Sequence, residues 1–134
     1  MKLSSKGRYA VMALADIARF QPENPIPLRD ISLRQGISLV YLEQLFLKLK
    51  KNKIVLSVRG KNGGYILNRS AKDIKISEVF LAVEEKVKTI GCEKHSRKGC
   101  NGKSSKCITH NLWDELENYI NDFFEKKTLK DLIN

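Results

Sequence analysis

The chain has 134 residues, and its 25 Lys and Arg against 15 Asp and Glu give a formal charge of +10, enough length for one real core and little more. No apolar run approaches the ~18 residues that a membrane span needs, and the start, MKLSSKGRYAV, lacks the charged, apolar and small-residue order of a secretory signal, so a cytoplasmic, membrane-free protein is expected. A cation surplus of this size in a small domain points to a polyanionic partner.

From Lys6 to Phe20 the chain is apolar at nearly all positions, which predicts a helix enclosed by others, and Pro22, Pro25 and Pro27 end it. A short helix over residues 28–35 turns Leu28, Ile31 and Leu33 inward, and Gly36 follows where a left-handed cap is wanted. Ser38 is placed to cap the next helix, in which Leu42, Leu45, Phe46 and Leu49 recur at i, i+3, i+4 and i+7 as one buried stripe. Two helices joined by Gly36-Ile37-Ser38 make a candidate helix-turn-helix.

After Asn52 the period shortens to two: Ile54, Leu56 and Val58 alternate with other residues, and Tyr65 and Leu67 resume beyond a glycine-rich break. Within that break, Asn62-Gly63 is a strong hairpin signal, because both residues tolerate positive φ. A basic hairpin directly after a helix-turn-helix is a wing. A further helix from about Ser77 to Lys86 packs Val79, Phe80 and Val83, and leads into a loop that gathers all three cysteines and both histidines. From His110 a long helix runs to about Lys126, with Trp113, Leu116, Ile120 and Phe123 spaced by threes and fours. Leu112 and Phe124 widen that seam beyond what one short domain needs. Thr128 and Asp131 are spaced as a capping box for a last turn, residues 129–133.

With the Leu42 stripe facing the core, Val40, Gln44, Leu47 and Lys48 point outward, flanked by Tyr41 and Glu43. Residues so placed reach base edges in a major groove. Gln44 can pair bidentately with adenine, Val40 can touch a thymine methyl, and Glu43 can accept from cytosine or exclude other sequences. Arg59 and Lys61 flank the wing turn, where a long cation enters a narrow minor groove, and Gly60 keeps the tip slim. A nucleotide-binding loop is a poor reading of RGKNGG, since no Gly-Lys-Ser/Thr follows and the next element is a strand.

The three thiols cannot all be paired within one chain, so a metal, a cluster or a redox switch is a better reading than a disulfide framework. Lys94, Arg97, Lys98, Lys103 and Lys106 surround them and favour thiolate over thiol. Cys107 and His110 converge if the chain enters helix there, with Thr109 as cap. The loop alone leaves a Cys3His zinc site and a metal-free thiol sensor open, although the tight Cys pairs usual for zinc are missing. A cysteine nucleophile with His110 as base is the weakest reading, for want of an oxyanion donor or orienting acid.

MKLSSKGRYAV, ISLRQGIS, VYLEQLF, VRG followed by NGGY, and Cys-Ile-Thr-His-Asn-Leu-Trp together resemble the IscR-type iron-sulfur cluster regulators, a family of bacterial winged-helix transcription regulators. The resemblance spans nearly the whole chain and is densest over residues 1–68. It implies no enzyme but a cytoplasmic repressor of cluster-assembly genes, a homodimer on a palindromic operator of double-stranded DNA. The fold it implies is mainly α with a small β-hairpin, a winged helix-turn-helix with a long C-terminal dimerisation helix. Residues 1–88 would bind DNA, 89–110 form the cysteine-rich loop, and 111–134 supply the dimerisation helix and a C-terminal turn. The resemblance implies DNA roles for Ser38, Tyr41, Glu43, Gln44 and Arg59, and a [2Fe-2S] cluster on Cys92, Cys100, Cys107 and His110. The spacing, Cys-x7-Cys-x6-Cys-x2-His, is longer in its first two gaps than is usual in the family and brings in His95 as a rival ligand. The tip RGKNGG is also similar to that of nitric-oxide-sensing repressors of the same fold.

Overall fold

Around one helix, α1 (Ser5–Phe20), the other elements gather: it touches each of α2 (Leu28–Gln35), α3 (Leu39–Lys51), α4 (Ile76–Ala82), α6 (Lys130–Ile133) and the second hairpin strand. The computed structural model describes residues 4–20, 24–86 and 108–133. Ala10, Ala13, Leu14 and Ile17 of α1 are fully buried, and the two alanines let neighbouring helices approach its backbone closely. The expectation of an enclosed helix fails on one side. Met12 and Phe20 stay 37% and 50% exposed, and Val11 and Met12 line an apolar cleft of about 480 Å³ with Ile76, Phe80, Phe123 and Leu132.

A buried carboxylate fixes α2 on α1. Asp16 accepts from Arg34 Nη2 at 2.6 Å and Nε at 2.9 Å, and from Gln35 Nε2 at 2.9 Å, while its side chain is wholly out of solvent. The hydrogen bond to Asp16 pushes the Arg34 guanidinium above its already high ordinary value. Helix α2 has the expected bounds and buries Ile31, but Leu33 is 79% exposed because Arg34 and Gln35, its neighbours, are the residues turned toward α1. Gly36 ends the helix with φ of 67°, its N–H donating to the Ser32 carbonyl at 2.9 Å. Ser38 Oγ then accepts from the Tyr41 N–H at 3.4 Å, and the predicted stripe of α3 is buried, with Phe46 and Leu49 at zero exposure.

The hairpin pairs β1 (Val55–Val58) with β2 (Gly64–Leu67) in antiparallel register, Val55 opposite Leu67 and Val58 opposite Gly64. Its faces differ from the expected alternation: Val55 is the buried strand residue, whereas Leu56 and Val58 are 44% and 39% exposed. The cause is the end of α3. Lys53 takes a left-handed φ of 60°, the Lys53 N–H donates to Lys50 and the Ile54 N–H to Leu49, so Ile54 is buried as the apolar residue that closes a helix terminus. Beyond Val55 the rest of the strand, Leu56 to Val58, is exposed without alternation. In the turn, the positive φ falls at Gly60 (119°), not at Asn62-Gly63, and the Gly63 N–H closes on the Gly60 carbonyl at 3.0 Å with Lys61 and Asn62 at the corner. Gly64 allows a third segment to join, since a Cβ there would lie 2.4 Å from the Ile26 backbone, and Ile26 and Tyr65 exchange both main-chain hydrogen bonds at 2.8 and 2.9 Å.

Helix α4 stops earlier than expected, because Glu84 adopts a left-handed φ of 61°. Helix α5 (His110–Lys126) has the predicted bounds and returns the chain to the core at its far end. There the Ile76 N–H donates to the Lys127 carbonyl and the Leu129 N–H to the Ile74 carbonyl, and Leu129 is fully buried. Asp131 accepts from the Thr128 N–H at 2.9 Å, one half of the expected capping box. Lys75 and Ser77 both donate to Glu125 at 2.7 Å, and these bonds, Lys75 first, hold the Glu125 carboxyl below its usual range. No helix among the described residues is long and apolar enough to cross a membrane.

Arg34→Ala leaves the Asp16 carboxylate buried with Gln35 alone, and is expected to destabilise the chain by about 3 kcal/mol or more. Asp16→Ala strands only a guanidinium that reaches solvent, and is expected to cost about 1–3 kcal/mol. Urea unfolding midpoints check the order; equal losses would mean the pair is not asymmetric in the way its burial implies.

Candidate nucleic-acid interface and metal ligand

Helix α3 stands with Val40, Glu43, Gln44 and Leu47 exposed on its outer side, Val40 and Leu47 to 64% and 67%. The capping residue Ser38 is exposed at its N-terminus. Arg59, Gly60 and Lys61 are all exposed at the hairpin tip. Polar Gln44 and Glu43 with apolar Val40 and Leu47 make a surface able to read both hydrogen-bonding edges and methyl groups.

Besides the cap at Ser38, two of the expected contact residues have side-chain partners far along the chain. The Tyr41 ring is half-buried, packs edge-on to Tyr9 at 5.9 Å, and its hydroxyl shares a hydrogen bond with Ser5 Oγ at 3.0 Å. Lys48 Nζ lies 3.4 Å from Glu84 Oε2. Neither Ser5 nor Glu84 stands out in the sequence, since pairs 36 residues apart leave no periodic signal. A second long-range fixture holds the start of α1: the buried Glu85 carboxylate accepts from Ser4 Oγ at 2.7 and 2.8 Å and from the Gly7 N–H at 3.2 Å. It thereby satisfies donors that a helix N-terminus leaves open.

Helix α5 is amphipathic in a way the sequence blurs. Leu112, Leu116, Tyr119 and Phe123, spaced four, three and four, are 57%, 39%, 67% and 55% exposed. Phe124 turns the other way and packs on Phe80 with centroids 4.6 Å apart. Trp113 and Ile120 are half-buried, and Trp113 Nε1 donates to Thr109 Oγ1 at 3.2 Å. Thr109 therefore occupies the cap position without its side chain capping the helix, unlike the expectation.

His110 opens α5 and is the one buried residue of that helix. Its Nδ1 is the one buried side-chain polar atom without a hydrogen-bond partner among the described residues. Such an atom costs about 1–3 kcal/mol unless something binds it, and an imidazole nitrogen that lacks a donor or acceptor is a ready metal ligand. Cys92, Cys100, Cys107 and His95 lie outside the described residues, and no group of three potential metal ligands occurs among those described.

The model of the Rrf2 family, described as an iron-dependent transcriptional regulator, matches residues 3–134. The HTH-type transcriptional regulator IscR of Pectobacterium carotovorum subsp. carotovorum is 52% identical over all 134 residues, which cover 80% of that protein. Its counterpart from Photorhabdus laumondii subsp. laumondii is 50% identical with the same coverage. Among solved structures, IscR of T. potens is 34% identical with a TM-score of 0.77, over 99% of this chain and 86% of the other. CymR of B. subtilis, a global cysteine regulator, is 26% identical with a TM-score of 0.82, over 99% and 96%. With an exposed recognition helix, a basic hairpin beside it and these relatives, the chain belongs to the Rrf2 family of winged-helix transcription regulators and is a DNA-binding regulator, not an enzyme.

Proposed function

We propose that the chain is a cytoplasmic, homodimeric repressor of iron-sulfur cluster assembly genes, which binds a palindromic operator and is governed by a [2Fe-2S] cluster held by Cys92, Cys100, Cys107 and His110. The observation that carries this reading is the buried, unpartnered Nδ1 of His110 at the first residue of α5, three positions after Cys107. Three thiolates and one imidazole fit such a cluster, and the family description as iron-dependent and the IscR relatives support it. When bound, a cluster with an imidazole ligand supplies an oxidisable group of higher potential than an all-thiolate one. The chain's own part is to orient His110 by the helix start, and to favour thiolates through Lys94, Arg97, Lys98, Lys103 and Lys106. His95, three residues after Cys92 and with no helix start expected there to fix it, is a bystander.

In this reading residues 1–88 bind DNA, 89–110 hold the cluster and 111–134 join two protomers. Ser38, Val40, Tyr41, Glu43, Gln44 and Lys48 lie on or beside the groove-facing side of α3, with Arg59, Gly60 and Lys61 in the minor groove. Two-fold related recognition helices read a palindrome. The exposed stripe from Leu112 to Phe123 supports the dimer, because an apolar row of that length on a monomer is costly to leave in water.

Arg59→Ala is expected to weaken DNA binding and to lower the salt slope by about 0.9 for each phosphate that the guanidinium neutralises, with no change in melting. Gln44→Ala is expected to relax base preference at one position per half-site by about 1–3 kcal/mol of discrimination. Titrations across a salt series check both; wild-type binding and slope in Arg59→Ala would remove the wing from the interface.

Leu116→Asp places a charge on the exposed stripe without touching the core of the protomer. Sedimentation is expected to show monomers that no longer hold a two-half-site duplex. A wild-type chain that sediments as a monomer at micromolar concentration would sink the dimer.

After anaerobic reconstitution, Cys92→Ala, Cys100→Ala and Cys107→Ala are each expected to lose the visible absorption of the cluster. His110→Ala should lose it or make it labile, and His95→Ala should change little. Bleaching by the loss of His95 but not of His110 would redraw the ligand set. A colourless protein that binds zinc, or one that binds no metal and responds only to thiol oxidation, would replace the cluster with one of those readings.

A further inference from the structure

Helix α4 ends in a pair of hydrogen bonds, from the Glu84 N–H to the Leu81 carbonyl at 3.2 Å and from the Glu85 N–H to the Phe80 carbonyl at 2.8 Å. This pattern places its penultimate residue in the left-handed region, where glycine is the usual occupant because a side chain crowds its own backbone. Here the residue is Glu84, with φ of 61°. A carboxylate held in so unfavourable a backbone points to a use for the side chain. That side chain reaches the recognition helix. Its Oε2 lies 3.4 Å from Lys48 Nζ, and the Glu84 main-chain carbonyl accepts from Lys6 Nζ at 3.3 Å.

The seat under Glu84 is firm. Glu85 is buried, and its carboxylate is fastened to the start of α1 by Ser4 and the Gly7 N–H. Glycine at position 7 makes the fit possible, since a Cβ there would lie 2.7 Å from Glu85 Cγ. Glu84 itself presents a 74% exposed side chain beside α3, next to a cation that lies one turn beyond Gln44.

We propose that Glu84 stands in for a DNA phosphate on the recognition helix, holding Lys48 so that this cation engages DNA only after the internal ion pair opens. The proposal rests on the assignment of the outer side of α3 to DNA. Both partners are solvent-accessible, so the pair is weak and opens readily. It acts as a brake of a few fold on each protomer, not as a lock. A carboxylate beside a DNA-facing lysine lowers affinity for any duplex, because Lys48 would contact the backbone and not a base edge.

The test is fluorescence anisotropy with a mixed-sequence DNA duplex over a salt series, for the wild type, Glu84→Gly, Lys48→Gln and the double variant. Glu84→Gly suits the left-handed position, so its melting temperature is expected to equal or exceed that of the wild type. It is expected to bind DNA about two- to fivefold more tightly per protomer at low salt. Lys48→Gln should weaken binding and lower the salt slope by about 0.9 per protomer. In the double variant the gain from Glu84→Gly should vanish. A gain that persists undiminished beside Lys48→Gln overturns the proposal, since the carboxylate would then repel DNA on its own account, and no gain from Glu84→Gly overturns it as well. If Lys48→Gln alters neither affinity nor slope, the placement of Lys48 on DNA is what fails, and the brake fails with it.

Discussion

The position of the recognition helix depends on one buried carboxylate. Asp16 sits inside the apolar run of α1 and is satisfied by three donors, all from the last two residues of α2. A bidentate guanidinium leaves little freedom of angle, so the end of α2 is fixed against α1, and Gly36 turns the chain from there directly into α3. The other end of the framework is held by the same means: Tyr41 reaches Ser5, and Glu85 reaches Ser4 and Gly7. Apolar burial alone would tolerate a helix that slides or rotates by a few degrees. Directional bonds at both ends of α1 do not, and a base-reading helix needs that registration.

The parts of the fold that sequence makes legible are those in which one segment decides its own structure. Helices α2 and α5 have the bounds that Gly36, the prolines and the apolar spacing predict, and the buried stripe of α3 is complete. The errors fall where two rules meet. Ile54 fits both a strand period and the apolar residue that closes a helix terminus, and the second governs, so that Leu56 and Val58 do not share its burial. Likewise the row of apolar residues in α5 contains two stripes, one for its own core through Phe124 and one left exposed, and spacing alone merges them. Of the candidate site, the exposed groups of α3 and the wing were legible, as was His110 at the helix start. The partners of Tyr41 and Lys48 were not, because pairings 36 residues apart leave no local pattern. The three cysteines lie outside the described residues.

Helix α5 divides its apolar residues between its own core and an exposed stripe. Its C-terminal end is pinned by the Ile76 and Leu129 main-chain bonds and by Glu125, and Phe124 inserts beside Phe80. Toward the N-terminus His110 is buried, while Leu112 and Leu116 remain exposed. In the proposed dimer that exposed row is where a second copy would add its apolar surface. Such an arrangement ties the spacing of two recognition helices to the geometry of α5, which is the quantity an operator with two half-sites measures.

Charge then sets how such a dimer would search DNA. A surplus of +10 per chain attracts any duplex, and attraction to phosphates carries no sequence information. Specificity is a ratio, so interactions that discriminate between sequences change it, whereas weakening attraction to every sequence alike leaves it unchanged and lowers only the total binding. Two carboxylates stand where they would act on these two quantities. Glu43 is exposed on α3 among the residues proposed to face the groove, and Glu84 sits against Lys48 on the same helix. Both oppose the general cation field, but by different routes, since Glu43 must meet a base edge that can donate to it or be repelled, whereas Glu84 occupies a lysine that would otherwise rest on the backbone. The first discriminates between sequences and the second lowers the background for all of them. In a strongly basic protein with a small reading surface the two act on different quantities, since the first sets the ratio between sequences and the second lowers the time spent on DNA of any sequence without altering that ratio.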